Sequence, residues 1–551
     1  MSIYVNQVGY YPGGVKTALS TKPCNFQIIR VSDSKSVFDG VASECKYDEA
    51  ALEKVYAIDF NEVTECGRYY VLAGDGDASV NFEISDSLYE NVMRDSLKCM
   101  YFQRCGTPLT SEYAGEYVHP ACHLNPVIML EDYLNQTECP MEYDMSGGWH
   151  DAGDYGRYVS AGVVAVGHFL YAYELYPDQF KGSLNIPESG NGIPDILNEC
   201  YYELSWMLKM QDSDGGVHHK LTAFNHPDFI MPECDDDPFY IFPVSSISTA
   251  DFAAVMALAS RVYRKYMPEF AEVALDAARL SAWWLSEHDY IGFKNPEGCN
   301  TGEYGDDDDT DERLWAYAEL VRSDKENKNK YLKRLNEMSA KCKGRTDFGW
   351  ADVSGMASMS ILTDPDKTAG KLFDQYKKAV IDEADKLCKL IETKGYKVAM
   401  EPEDYVWGSN MVVLNRGMLI ALADMTKDDQ NENKYLNGVI NHLDYIFGRN
   451  AVDMSYVTGY GEHAFRNPHA RVTDQDGIDD PMPGWVSGGP FRTPCDPAAL
   501  SALSKDTPPM KCYVDDVGSY STNEITIYWN SPLVFLCAYC CHLAQNVIKL
   551  T

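Results

Sequence analysis

The sequence predicts a multidomain protein, a small antiparallel β-sandwich followed by a large all-α toroid. Three observations carry this. Short β-branched and aromatic runs separated by turn signals fill the N-terminal part. From Tyr89 the hydrophobic period changes from that of strands to that of helices. The helical pattern then continues along the 551 residues with no strand repeat. With 45% hydrophobic and 24% charged residues, the composition is that of a globular chain and excludes disorder and low-complexity scaffolds.

The strands are read in VNQVGY, NFQIIRV, KVYAIDF, GRYYVLAG and SVNFEIS, with turns at DGV, ECG and GDGDAS. This domain is assigned to residues 1–87 and the helical domain to residues 88–551. The helices begin with YENVMRDSLKCMYFQRC, VSAGVVAVGHFLYAYELY, IPDILNECYYELSWMLKMQ, TADFAAVMALASRVYRKY and AEVALDAARLSAWWLSEH. They continue with DERLWAYAELVR, YLKRLNEMSAK, the run from Ala379 to Glu392, NMVVLNRGMLIALADM, NKYLNGVINHLDYIFG and EITIYWNSPLVFLCAYCCHLA. A closed ring of six inner and six outer helices suits this series, although pattern alone does not encode closure.

Two long loops interrupt the helices and hold the reactive side chains, Gly106 to Arg157 and Gly448 to Asn523. Both are expected at one end of the toroid. In the first, GGWHDAGDYGRY sets Asp151 and Asp154 three residues apart among glycines. Two carboxyls facing the same way repel, so one can hold a proton while the other acts as a base. The alternative is that one of them merely caps the helix starting near Val159. In the second, Glu524 follows Ser521, Thr522 and Asn523 just before the last apolar helix, as a general acid or as a cap favoured by the helix dipole.

Lys and Arg number 47 against 83 Asp and Glu, a net charge of −36, which disfavours nucleic acid and anionic membranes as partners. No run approaches the length of a membrane span. The N-terminus MSIYVNQVGYYPGG carries no basic, apolar leader, and 17 cysteines form an odd, scattered set. A cytoplasmic, monomeric protein with reduced thiols is expected. The 38 Tyr and 9 Trp exceed the needs of a core and suit a groove for the flat faces of sugars.

The segment Tyr513 to Ser531 resembles the C-terminal active-site signature of glycoside hydrolase family 9 in its aromatics, Asp, Glu, Thr and Asn-Ser pair. Ser455 to Arg471, ending Pro-His-Ala-Arg, resembles that family's other signature, and Asp-Ala-Gly-Asp at 151–154 its catalytic base loop. WGSN at 407–410 and DGGVHHK at 214–220 also fit. The resemblance spans about residues 88–548 and implies an immunoglobulin-like domain before an (α/α)6 barrel, with inverting hydrolysis of β-1,4-glucosidic bonds. It implies Asp154 as general base, Asp151 as a second holder of the water, and Glu524 as general acid. It implies His469, Arg471 and Asp515 as groups that bind and orient the sugar.

Cys105, Cys122, His123 and His150 supply the two thiolates and two imidazoles of a structural zinc site, although the spacing is not that of a finger and unligated buried thiols are the alternative. The resemblance also implies zinc here. It places calcium over Asp308, Asp311 and Glu312 of GEYGDDDDTDE, with Asp352 more distant; a solvated acidic loop is the alternative. Trp149, Trp350, Trp407 and Tyr520 lie in or near the motif loops and are expected to stack on sugar, whereas Trp206, Trp283 and Trp284 are expected in the core. Catalysis itself calls for no cofactor.

The reading that follows is a cellodextrinase acting on cello-oligosaccharides. Three other readings compete: an endoglucanase on soluble or mixed-linkage glucan, an exo-acting enzyme on chitosan oligosaccharides, and a non-catalytic carbohydrate-binding protein. A catalytic zinc hydrolase is disfavoured, because no HExxH helix is present and four protein ligands leave no position for water. Asp212 to Ser248 and Val472 to Lys511 are the candidates for a wall closing one end of the groove.

Overall fold

A computed structural model describes residues 2–43, 45–428 and 433–547. The N-terminal part is a sandwich of two sheets. The first joins β1 (Ile3–Tyr4), β3 (Thr17–Ser20), β7 (Glu53–Asp59) and β6 (Cys45–Asp48) in the order 1-3-7-6. The second joins β2 (Gly9–Tyr10), β9 (Phe82–Ile84), β8 (Gly67–Ala73), β4 (Asn25–Arg30) and β5 (Lys35–Val41) in the order 2-9-8-4-5. Alternation explains the core: Tyr69, Val71 and Ala73 of β8 point inward with Phe26 and Ile28 of β4, which they meet in register at Phe26↔Ala73 and Ile28↔Val71. The reading from sequence found β2, β4, β7, β8 and β9. It missed β1, β3, β5 and β6, which are short or largely exposed and so lack a clear alternation.

Twelve helices of ten or more residues follow among the described residues. Eleven match the segments read from sequence; the twelfth, Ser354–Thr363, is new. Its sequence SGMASMSILT is buried at all but the last position, so it has no polar face and no helical period to read. Along the chain, fully buried helices alternate with amphipathic ones. Ser246–Val262 exposes little beyond Arg261, and Asp311 to Val321 are all buried in Thr310–Ser323. By contrast, Lys328–Lys341 buries only Tyr331, Leu335, Met338 and Ser339, the single stripe of an outer helix. This alternation is what an inner and an outer ring require. Trp206 and Trp284 are core as expected, but Trp283 is half exposed on the Pro268–Glu287 helix, one position off its buried stripe.

Packing divides the chain into two units: residues 97–380 with 470–478, and residues 1–96 with 381–469 and 479–551. In the first unit Ser246–Val262 lies against Val159–Leu175, Pro268–Glu287 and Thr310–Ser323. The inner helices approach closely because small residues allow it. A methyl group on Gly167 would come within 2.5 Å of Met356 and 3.0 Å of Trp315. Arg261 binds Glu174 at 2.6 Å and the buried Glu319 at 2.7 Å, tying three of these helices through largely shielded charges. The loops also contain short strands that the helical pattern did not announce. Arg157–Tyr158, Lys220–Thr222, Tyr240–Ile241 and Ile128–Met129 form a small sheet that fastens the Asp151 loop to residues 220–245.

In the second unit, Ser409–Thr426 packs against Lys434–Ile446 and Ile527–Val547. The sandwich is joined to this helical part by buried polar bonds. Asn6 donates to Asp444 at 2.9 Å and to Tyr89 at 3.0 Å, and Asp444 in turn pairs with Arg449.

Candidate active site

In the first unit the loop bearing Asp151 and Asp154 is built from the backbone outward. His150 N donates to Gln103 O, Gln103 Nε2 donates to Ala152 O, and Asp151 N donates to Gly156 O. Gly148 adopts φ +76°, and a side chain there would meet Trp206 at 2.7 Å, so glycine is required for the turn. Neither aspartate caps the Val159–Leu175 helix, whose N-cap Tyr158 receives no side-chain bond; the capping alternative is set aside.

The two carboxyls sit in opposite environments. Asp154 is buried, which opposes ionisation, but His226, Arg471 and the Gly156 amide outweigh burial and hold it down to about 2. Asp151 is pushed up to about 8 by burial and by the Asp154 charge, against a hydrogen bond of 2.5 Å from Tyr304. Near neutrality Asp154 is therefore ionised and Asp151 carries a proton, so of the two only Asp154 is able to accept one. Arg471 does not present its guanidinium as a bare sugar-binding group. Its Nη1 and backbone N donate to Gly153 O at 2.9 and 3.0 Å, and its Nε donates to Pro227 O at 2.9 Å.

Of the aromatics, Trp350 is partly exposed and meets Tyr304 edge-on. Trp149 corrects the expectation: it is 1% exposed and donates Nε1 to Glu199 at 3.0 Å, so its ring is a support for the loop and offers no face to a sugar.

Cys105, Cys122, His123 and His150 come together as expected, their ligand atoms all within 4.8 Å of one another. His123 donates or accepts at Nε2 with Asp235 at 3.2 Å, while its Nδ1 is buried and unbonded. An outer carboxylate orienting an imidazole in this way is the usual surrounding of a metal ligand. Burial disfavours the Cys105 thiolate, but Cys122, Arg157 and the two histidines outweigh it and hold the thiol well below its ordinary range. The donor set fits a metal such as zinc. Among the described residues it is the one such group; Asp308, Asp311, Glu312 and Asp352 are not gathered in this way. Asp308 and Asp352 accept amide bonds from Thr310 and Ser354, Asp311 one from Val353, and Glu312 is buried with both carboxyl oxygens unbonded.

In the second unit Glu524 is partly exposed and accepts a hydrogen bond from Trp407 Nε1 at 3.1 Å. Its backbone is held between His469, through a parallel bridge, and Gly488, whose amide donates to Glu524 O at 2.8 Å. Asp515 accepts from the amides of Arg466 and Asn467 and from Asn523 Nδ2, which fixes the segment leading to His469. His469 donates Nδ1–H to Val517 O at 2.6 Å, a bond that settles the tautomer because a carbonyl only accepts. Trp407 is 41% exposed, with Tyr520 5.5 Å from its ring centre, so both can form a shelf for a sugar.

Sequence reasoning missed His226, Tyr304, Asn523 and Asp235. His226 is a lone histidine 72 residues from Asp154 with no spacing to mark it. Tyr304 lies inside the acidic stretch read only for calcium.

Buried carboxyls on one loop and a partly exposed glutamate on another are the kind of groups that hydrolysis of a glycosidic bond uses, which points to a glycoside hydrolase. Comparison with known proteins makes the class specific. Residues 89–537 match the model of glycosyl hydrolase family 9, and residues 1–78 match that of the cellulase N-terminal ig-like domain. The chain is 40% identical over 550 residues to a cellodextrinase of Butyrivibrio fibrisolvens, covering 97% of this chain and 98% of the relative. It is 35% identical to endoglucanase D of Acetivibrio thermocellus, covering 97% and 83%. A single-mutant thermostable endoglucanase from Alicyclobacillus acidocaldarius superposes with a TM-score of 0.89 at 33% identity, covering 98% and 99%. The chain belongs to glycoside hydrolase family 9: an immunoglobulin-like sandwich followed by an (α/α)6 barrel, in a family of inverting β-1,4-glucanases.

Proposed function

We propose that this β-1,4-glucan hydrolase is a cytoplasmic, monomeric cellodextrinase, its sandwich spanning residues 1–87 and its catalytic domain residues 88–551. Asp154 is the general base and Glu524 the general acid. The observation that carries the choice of base is the contrast between Asp154, held ionised, and its protonated neighbour Asp151. Asp154 removes a proton from water as the oxygen attacks the anomeric carbon. The bond to the leaving oxygen breaks as Glu524 gives that oxygen its proton, and the product has inverted configuration. Asp515 and His469 keep the acid's segment in place, Trp350, Trp407 and Tyr520 receive the sugar faces, and Arg471 acts through the base loop. Support for short substrates comes from the cellodextrinase matched over nearly its full length. Support for a reducing compartment comes from the odd, scattered set of 17 cysteines.

Cys105, Cys122, His123 and His150 would hold one zinc, which contributes folding free energy when bound. Calcium at Asp308, Asp311, Glu312 and Asp352 is proposed on the unbonded Glu312 carboxyl, whose ionisation burial disfavours and a cation would favour.

Two measurements test the reading. With cellotetraose and cellopentaose the fresh product is the α-anomer, and activity rises with chain length and levels off, while carboxymethylcellulose loses little viscosity. Rapid loss of viscosity at low reducing-sugar release would replace the cellodextrinase by an endoglucanase. Asp154→Ala loses about 10²–10⁴-fold in kcat with KM nearly unchanged, and azide restores part of it. A variant retaining full turnover would remove Asp154 from the mechanism.

A further inference from the structure

His226 stands in a long loop, yet its Nδ1 lies 3.0 Å from Oδ2 of Asp154. That oxygen also accepts from the Gly156 amide at 3.3 Å, and among the described residues no donor bonds the other oxygen, Oδ1. An ionised carboxylate only accepts, so Nδ1 carries the proton. The position of His226 is not left to a free loop. On one side Asn225 accepts from Asn300 Nδ2 at 2.8 Å, while Asn300 N donates to Phe224 O at 2.7 Å. On the other, Pro227 O is bound by the same Arg471 that binds Gly153 O. One guanidinium thus fastens the residue before the base and the residue after its histidine. The imidazole keeps 40% of its side-chain surface exposed, so it stands at the solvent edge of the loop and is not part of a packed core.

We propose that His226 is a positioning residue for the general base, occupying Oδ2 so that Oδ1 is the oxygen that takes the proton from water, and that Arg471 is the strut that holds the two together. This rests on Asp154 being the base. Asp154 is faced also by Arg471, by Asp151 on its own loop, by Lys220 on the Lys220–Thr222 strand and by Tyr158. Of these, His226 alone donates a side-chain hydrogen bond to the carboxylate.

The experiment compares His226→Phe, which removes the donor, with His226→Asn, whose amide can occupy the place of Nδ1, and with Asp154→Ala. For His226→Phe, kcat falls on the order of tenfold or more, and the acid limb of kcat/KM against pH moves up by about one unit, toward an ordinary carboxylate. The Asn variant keeps most of kcat and leaves the limb near its original position. If Asp154→Ala retains turnover, the assignment of the base fails whatever His226 does. If Asp154→Ala is inactive and rescued by azide, but His226→Phe leaves the acid limb unmoved, the proposal for His226 is overturned. It is equally overturned if both His226 variants raise KM alone, which marks a sugar contact, or fall equally in kcat without a shift of the limb.

Discussion

Asp151 and Asp154 lie three positions apart in sequence, and what separates their chemistry is the set of donors each meets after folding. Asp154 gains a histidine, an arginine and an amide; Asp151 gains one tyrosine hydroxyl and a charged neighbour. The same logic gives a stability prediction at Glu203, which lies behind the loop and accepts the Trp149 amide at 2.6 Å. Burial pushes Glu203 up to about 8, against the Trp149 amide and Arg157. Its folded value lies above the unfolded one of about 4.3, so its stabilising contribution is present below that pH and is lost as pH rises through 8. Glu203→Gln keeps the acceptor for Trp149 and buries no charge. Its stability relative to the parent should rise between pH 5 and 8, by up to about 1.4 kcal/mol per pH unit. Urea denaturation at the two pH values measures this, and parallel curves would show that Glu203 does not titrate in that range.

At the scale of elements, the loop bearing Asp151 and Asp154 is held at both of its ends. Cys105 and Cys122 precede it, His150 opens it, and the Arg157–Tyr158 strand closes it against Leu221 and Lys220. A metal bound by the four ligands would therefore restrain the approach to Asp154. Cys122→Ser is expected to lower Tm by roughly 5 °C or more, a shift worth a couple of kcal/mol in a large domain, while turnover at 25 °C changes less. Stripping metal from the parent protein with a chelator should reproduce the shift. Unchanged melting in both cases, or an absence of zinc from carefully purified protein, would remove the site from the account. Trp149 belongs to this scale also: its ring is packed under the loop, and a conservative change there should act on stability and on kcat together.

For the molecule as a whole, the sandwich is joined to the C-terminal helices of its own unit through buried polar bonds as well as apolar packing. Gln7 N donates to Phe447 O, and Asn6 reaches Asp444 and Tyr89. Burial pushes Asp444 up to about 6, and Arg449 and Asn6 act against that rise. Asn6→Ala leaves a buried carboxylate short of a donor and is expected to cost about 2–4 kcal/mol. The loss should grow as pH rises through 6, where Asp444 becomes charged. Denaturation midpoints at pH 5 and pH 7.5 read both effects; a surface-like loss below about 0.5 kcal/mol would show that the bond does not join the two parts.

The amino-acid sequence by itself determined the sandwich before the helices, because the hydrophobic period changes from two to nearly four at Tyr89, and periodicity is a local property. It also singled out the candidates for the chemistry, Asp151, Asp154 and Glu524, since motif and loop placement are written in consecutive residues. Ser354–Thr363 escaped because a helix buried on every side has no period to detect. Trp149 was misjudged because stacking on a sugar and packing beneath a loop call for the same ring, and only its 1% exposure distinguishes them. Which carboxyl is charged, and which histidine holds it, was decided by tertiary structure alone. His226 is brought to Asp154 across 72 residues by a small sheet and by Arg471, and a pKa is set by distance through space, which sequence separation does not record.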